Sequence, residues 1–290
     1  MAQPDIVSIG EPLFELNQAK GSEAFLPGHG GDTSNCIIAA ARQGASVGYI
    51  TAIGADQFGQ SFLDLWAREG VDTSTVKRDG AAYTGIYFVN HDDAGHIFSY
   101  RRAGSAASRM TPSDLPEDYV RGAKMLQTSG ISQAISSGAA DLVFAAIRAA
   151  RAAGVKVFYD TNLRLRLWPI DRARATIHAA VAMADIVKTS IEDARELTGL
   201  STPDEVTDFY LRLGPKIAIV TMGPDGTVVA TPEKRETVPA IKVKPVDATG
   251  AGDTFDGAFM VEYLATGHPF AAARYANAAA GLSTEGYGAV

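Results

Sequence analysis

The stretch Asp247-Ala248-Thr249-Gly250-Ala251-Gly252-Asp253-Thr254-Phe255 sets two glycines and an alanine directly before an acid. That acid opens a segment, 253–266, in which Phe255, Ala258, Phe259 and Leu264 recur at helical spacing. Small residues let backbone N–H groups approach an anion closely. A helix N-terminus adds unpaired N–H groups and partial positive charge. A phosphoryl group fits such a place, with Gly250, Ala251 and Gly252 as the cradle and the Asp253 carboxylate beside it. Phosphoryl transfer to an alcohol needs that pair of features, an anion cradle and a base for the hydroxyl proton. A plain tight turn followed by an acidic cap is the other reading of the same residues.

Working outward from this segment, short apolar runs alternate with helix-length amphipathic ones. The pattern predicts strands over 6–9, 47–51, 124–128, 155–159, 186–188 and 217–221. Helices are predicted over 32–43, 57–69, 139–153, 172–183, 191–198 and 205–213. Such alternation makes an α/β fold with a mostly parallel central sheet covered on both faces. Two regions break the rhythm. Residues 13–26 and 84–100 carry extended runs without intervening helices, and they are expected to form a small sheet standing off the main body as a lid. Its exposed face needs cover, from substrate or from a second subunit; an ordinary hairpin insertion is the alternative.

Composition excludes several function classes. Hydrophobic residues make up 46% of the 290 and charged residues 20%, as in a globular enzyme. A formal charge of −7 with no offsetting basic stretch argues against a nucleic-acid partner. Cys36 is the one cysteine, so no disulfide forms within the chain, and the five histidines lack metal-ligand spacing. No apolar run is long enough to span a bilayer, and the N-terminus has no signal pattern. The expected location is cytoplasmic.

Three further segments carry polar groups suited to a ligand. Gly28-His29-Gly30-Gly31-Asp32-Thr33-Ser34-Asn35 leads glycines into a helix, and Asp32 and Asn35 there can fix hydroxyl groups by directional hydrogen bonds. In the extended runs, strand alternation puts Gly85, Tyr87 and Val89 on one face, and His96, Phe98, Tyr100 and Arg102 together. Tyr100 and Arg102 can then converge on a ligand, with Tyr87 beside them. Asp160, Asn162 and Arg164 follow a strand, where parallel sheets bind ligands. Arg164 suits a two-pronged bond to a carboxylate. A capped helix and solvated arginines are the competing readings.

The 247–255 string resembles the C-terminal signature of the ribokinase/PfkB-type carbohydrate kinases, and 28–35, followed by Ala39-Ala40-Ala41-Arg42-Gln43-Gly44-Ala45, looks like their N-terminal signature. Within the family, Gly10-Glu11-Pro12-Leu13-Phe14-Glu15-Leu16-Asn17, Tyr100-Arg101-Arg102-Ala103-Gly104-Ser105-Ala106 and Asn162-Leu163-Arg164 are most similar to the subgroup acting on 2-keto-3-deoxygluconate. The resemblance implies a ribokinase-like three-layer α/β/α domain over 1–290, with lid strands from about 13–26 and 84–102. It implies a kinase using ATP and Mg2+ on a small sugar acid, with Gly31, Tyr87, Tyr100, Arg102 and Arg164 contacting that acid and Asp253 as base. Thr221, Gly223 and Gly226 correspond to a turn near the ATP phosphates, and Asn277 to a residue near the adenine. Ser190 and Asp193 replace the Asn and Glu of a motif that organises magnesium and phosphate through water. Asp247 and Thr249 resemble positions that hold a monovalent cation, K+, in some relatives. A homo-oligomer joined through the lid is implied as well. The chain stops at Gly288-Ala289-Val290, short of the tail that relatives place beside the nucleotide. A kinase of fructose, ribose or tagatose is the nearest rival, and a non-catalytic sugar or nucleotide sensor on the same fold is another. A dinucleotide-binding oxidoreductase is excluded, since no Gly-x-Gly-x-x-Gly follows the first strand.

Overall fold

A computed structural model describes residues 3–18, 21–92 and 95–289; the side chains of 91–96, and with them the expected placement of His96, lie outside the described residues. In chain order the strands are β1 (Ile6–Ile9), β2 (Leu13–Gln18), β3 (Phe25–Gly30), β4 (Val47–Ile50), β5 (Ala52–Gly54), β6 (Val71–Asp72), β7 (Lys77–Asp79), β8 (Ile86–Asp92), β9 (Gly95–Arg101), β10 (Met125–Ser129), β11 (Lys156–Asp160), β12 (Ile186–Ser190), β13 (Ile217–Thr221), β14 (Thr227–Ala230) and β15 (Arg235–Val238). The helices are α1 (Asp32–Arg42), α2 (Gln57–Arg68), α3 (Glu117–Arg121), α4 (Gly130–Ala134), α5 (Ser137–Ala152), α6 (Ile170–Val181), α7 (Ile191–Thr198), α8 (Pro203–Leu213), α9 (Ala251–Thr266) and α10 (Pro269–Ser283).

The large sheet runs β15-β14-β13-β12-β11-β10-β1-β4-β6. It is parallel except at β14 and β15, which form an antiparallel edge. Strand alternation divides the core. Ile6, Phe158, Ile186 and Ile219 face the side covered by α1, α9 and α10, whereas Val7, Val157, Val187 and Val220 face the side of α5, α6 and α8. Each layer is a buried aliphatic and aromatic cluster, the main source of stability in such a domain. No helix among the described residues is long and apolar enough to cross a membrane.

The extended runs form a four-stranded sheet in the order β3-β2-β8-β9. Its register puts Gly28, Glu15, Tyr87 and Tyr100 in one row across the strands. The opposite face carries Phe25, Leu16, Phe88 and Ile97. Near its base that face rests on α2, through Phe14 against Phe58 and His29 against Phe62. Because the main strands are parallel, the carboxyl ends of β1, β10, β11 and β12 come out on one edge. The N-termini of α1 and α9 arrive at the same edge.

Candidate active site

Helix α9 starts two residues earlier than its apolar spacing implied, so Ala251 and Gly252 lie in its first turn. Gly250 is the N-cap, with φ 75°, and no side chain caps it. A Cβ at Gly250 would meet Ala289 at 2.9 Å, so both conformation and space favour glycine there. The Ala251 N–H donates to the Ala248 carbonyl at 3.2 Å, and the Thr254 N–H to Gly250 at 2.8 Å. The cradle is therefore narrower than expected: its Ala251 amide is partly engaged. The Gly252 and Asp253 amides have no acceptor among the described residues, and Gly252 is exposed.

Asp253 sits in that first turn, partly exposed, and accepts a hydrogen bond from Asn35 Nδ2 at 2.8 Å. Burial, reinforced by the charge of Asp32, pushes its carboxyl up to about 7; the Asn35 amide and Lys188 act in the opposite direction. A carboxyl in that range can both hold and release a proton near neutrality, as a general base must. Asn35 was read as a hydroxyl binder. Its amide nitrogen instead orients Asp253, while its Oδ1 is buried and unpaired. Asp32 Oδ2 accepts from Asn162 Nδ2 at 3.0 Å and from the Ser129 hydroxyl. Asp32 Oδ1 is buried without a partner, an acceptor left for a ligand hydroxyl. Burial raises the Asp32 carboxyl as well. Asn162 holds its contact with a backbone φ of 28°, which few non-glycine residues adopt.

The lid closes this edge from above. Tyr87 is buried and stacks on the exposed Tyr100 with ring centroids 5.9 Å apart. The Tyr87 hydroxyl donates to Glu15, and a Cβ on Gly30 would strike that hydroxyl at 2.7 Å. Gly31 turns the chain into α1 with φ 105°, and a Cβ on it would meet the Glu11 carbonyl at 2.4 Å. Arg102 was expected to be free for a substrate carboxylate. Its Nε donates to Glu11 Oε2 at 2.8 Å, and the Glu11 side chain is fully buried. Ser105 donates to the other Glu11 oxygen at 2.5 Å. Arg164 differs: it is exposed, it donates to the Leu163 carbonyl at 2.8 Å, and no carboxylate lies within 4.0 Å of it among the described residues. Its charge acts against the burial-driven rise of the Asp32 and Asp193 carboxyls, so it lies near both.

On the far side of α9 several expected roles find other employment. Ser190 is the N-cap of α7, accepting from the Asp193 N–H at 3.0 Å. Asp193 Oδ2 accepts from the Leu163 N–H at 2.8 Å, so the carboxylate fastens the loop after β11 rather than reaching outward for a metal. Burial pushes that carboxyl up to about 6. Asn277 is buried, accepting from the Thr227 hydroxyl and donating to the Val238 and Pro239 carbonyls at 3.0 and 3.2 Å. It braces the β15 end from within. Thr221 donates weakly to the Thr189 carbonyl at 3.4 Å. Gly223 and Gly226 form a turn closed by the Met222 N–H on the Gly226 carbonyl at 2.8 Å. Asp247 accepts from the Thr249 N–H and hydroxyl at 2.9 and 2.6 Å and from the Gly288 N–H at 3.0 Å. Among the described residues no three His, Cys, Asp or Glu side chains are grouped to hold a metal.

The residues missed from the sequence are Glu11, Ser129, Lys188 and Asp256. Lys188 and Asp256 carried a signal, since each is a charge inside an otherwise apolar strand or helix run.

The sequence matches the pfkB family carbohydrate kinases over residues 3–290. The chain belongs to that family. A 2-dehydro-3-deoxygluconokinase of Thermoproteus tenax is 33% identical, over 97% of this chain and 88% of its own. Fructokinase-2 of Oryza sativa subsp. japonica is 34% identical, over 90% and 80%. The crystal structure of a fructokinase from Vibrio cholerae in its fructose-, ADP- and calcium-bound form superimposes with a TM-score of 0.89 at 28% identity, covering 99% of this chain and 95% of that one. The fold is thus the ribokinase-like α/β architecture of the PfkB carbohydrate kinases, and the chain is a kinase of a carbohydrate.

Proposed function

We propose that the chain is an ATP-dependent kinase that phosphorylates 2-keto-3-deoxygluconate on its terminal hydroxyl, giving 2-keto-3-deoxy-6-phosphogluconate. The observation that supports the choice of a sugar acid is Arg164, an exposed cation near Asp32 and Asp193 with no carboxylate within 4.0 Å among the described residues. A neutral sugar has no group to neutralise it. Identity alone does not separate the substrates, since the keto-acid kinase and the fructokinase are equally similar to this chain.

In this reading Tyr100 and Tyr87 line the lid above the sugar, Asp32 Oδ1 accepts a sugar hydroxyl, and Arg164 grips the carboxylate. That grip directs the far hydroxyl toward Asp253. Asp253 takes the hydroxyl proton as the oxygen bonds to the γ-phosphorus and the bond to ADP breaks. The free amides of the first α9 turn stabilise charge on the transferring group. A Mg2+ ion travelling with the nucleotide neutralises phosphate charge when bound. With no preformed carboxylate cage among the described residues, phosphate and water would supply most of its ligands, as is usual for this ion. The lid's outer face, with Phe25 and Ile97 exposed, meets a second copy of the chain.

A coupled ADP-release assay with the keto-acid, fructose and ribose side by side tests the assignment. The expected kcat/KM is at least tenfold higher for the keto-acid. Preference for fructose or ribose would transfer the assignment to a neutral-sugar kinase, and no ADP release with any of them would revive the sensor.

A further inference from the structure

Lys188 is a charge in a buried strand, 5% exposed, pointing to the same side of the sheet as Ile186. Its Nζ lies 2.9 Å from Asp160 Oδ2, its neighbour across the β11–β12 pairing, and 3.4 Å from Asp256 Oδ1 on α9. It also reaches the first turn of α9, since a Cβ built on Gly252 would lie 3.1 Å from Nζ. A cation beneath a helix N-terminus is opposed by the helix dipole. Burying an ammonium costs several kcal/mol more, on the order given for buried ions. The neighbouring Asp160 and Asp256 more than offset that cost and hold the charge in place, so a buried cation stands ready beneath the turn for an anion arriving above it.

Resting on the kinase reading above, we propose that Lys188 is a positioning residue for the transfer: it docks the first turn of α9 on the sheet and adds buried positive charge beneath the free Gly252 and Asp253 amides, where the migrating phosphoryl group lies. The charged and titratable groups around it are Asp160 from β11, Asp253 and Asp256 from α9, Cys36 from α1 and Asp193 from α7. Burial pushes the Asp256 carboxyl well up, while the Lys188 charge acts in the opposite direction. The lysine also holds Asp253 lower than burial and the neighbouring acids alone would leave it.

The test compares the parent protein with Lys188→Met, Lys188→Arg and the charge-balanced Lys188→Met/Asp160→Asn. The Asp253 carboxyl is titrated directly by 13C NMR, assigned with Asp253→Asn, alongside kcat and both KM values. In Lys188→Met the Asp253 titration and the acidic limb of kcat should move up by about one pH unit. Its kcat should fall roughly ten- to hundredfold with KM values within about threefold; Lys188→Arg should restore the titration. If the single variant does not fold, the double variant carries the same prediction for kcat. An Asp253 titration and kcat within threefold of the parent in a folded variant would overturn the proposal. Should the parent phosphorylate no sugar, the kinase reading fails on its own, while the titration still decides whether the Lys188 charge reaches Asp253.

Discussion

Asp253, Asn35 and Asp32 form the smallest unit whose behaviour the structure predicts. A base whose carboxyl is pushed up to about 7 works only when ionised, so kcat should fall tenfold for each pH unit below about 6.5. Stability has the opposite sign. Because the folded-state value lies above the unfolded one, this group's stabilising contribution is complete below about pH 4 and is lost as pH rises through about 7. Asp253→Asn should therefore be more stable than the parent at pH 8 and no more stable at pH 4. The carboxyl is partly exposed, so screening trims the gain to about 1 kcal/mol, roughly 2–4 °C in Tm by thermal melts at the two pH values. The two arginines also part company. Arg102→Ala strands a fully buried Glu11 and should cost about 3–5 kcal/mol in urea unfolding. Arg164→Ala should leave unfolding unchanged and raise KM for the keto-acid about ten- to hundredfold, the worth of a charge-assisted hydrogen bond. An equal loss of stability in both would refute the distinction. The places of Asp253 in the first turn of a helix and of Arg164 just past a strand were legible in the sequence, because turn chemistry and strand ends mark such positions. The employment of Arg102, Asn35 and Asn277 was not, because a side chain's partner is set by contacts between residues far apart in the chain.

At the scale of elements, the site depends on how closely α9 lies on α1. Gly257 makes this approach possible: a Cβ there would sit 2.6 Å from the Cys36 carbonyl and 2.8 Å from Ala39 Cβ. Gly257→Ala should push the helices apart and cost about 1–3 kcal/mol by overpacking. It should also stretch the 2.8 Å contact between Asn35 and Asp253, lowering kcat at least tenfold, about the scale of a sub-ångström misplacement. Parent-like kcat in a folded Gly257→Ala would show that the two helices are not coupled in this way. The parallel strands and most helices were readable, with ends shifted by a residue or two, because fully buried strands and one-sided helices write different periods into the sequence. The edge pair β14 and β15 and the two-to-three-residue strands β5, β6 and β7 were not, being too short to show a period of their own.

Across the whole molecule, the lid stands off the sheet edge with Tyr87 and Tyr100 on one face and an apolar outer face on the other. Phe25 and Ile97 stay 39% and 47% exposed there, in one row across the four strands. Phe25→Lys/Ile97→Lys should convert the dimer expected in light scattering to a monomer, whereas a monomeric parent would remove the second copy from the account. The lid was legible as extended runs lacking helices, but which of its faces rests on α2 was not, because that depends on packing against 57–68. In the proposed reaction, core, lid and helix N-termini serve one event, the passage of a proton from an alcohol to Asp253 during phosphoryl transfer. The most direct measurement is single-turnover phosphorylation by Asp253→Asn, with keto-acid binding followed by calorimetry. Turnover should fall at least about a hundredfold while the dissociation constant stays within about threefold; turnover within threefold of the parent at unchanged affinity would contradict the assignment of Asp253 as the base.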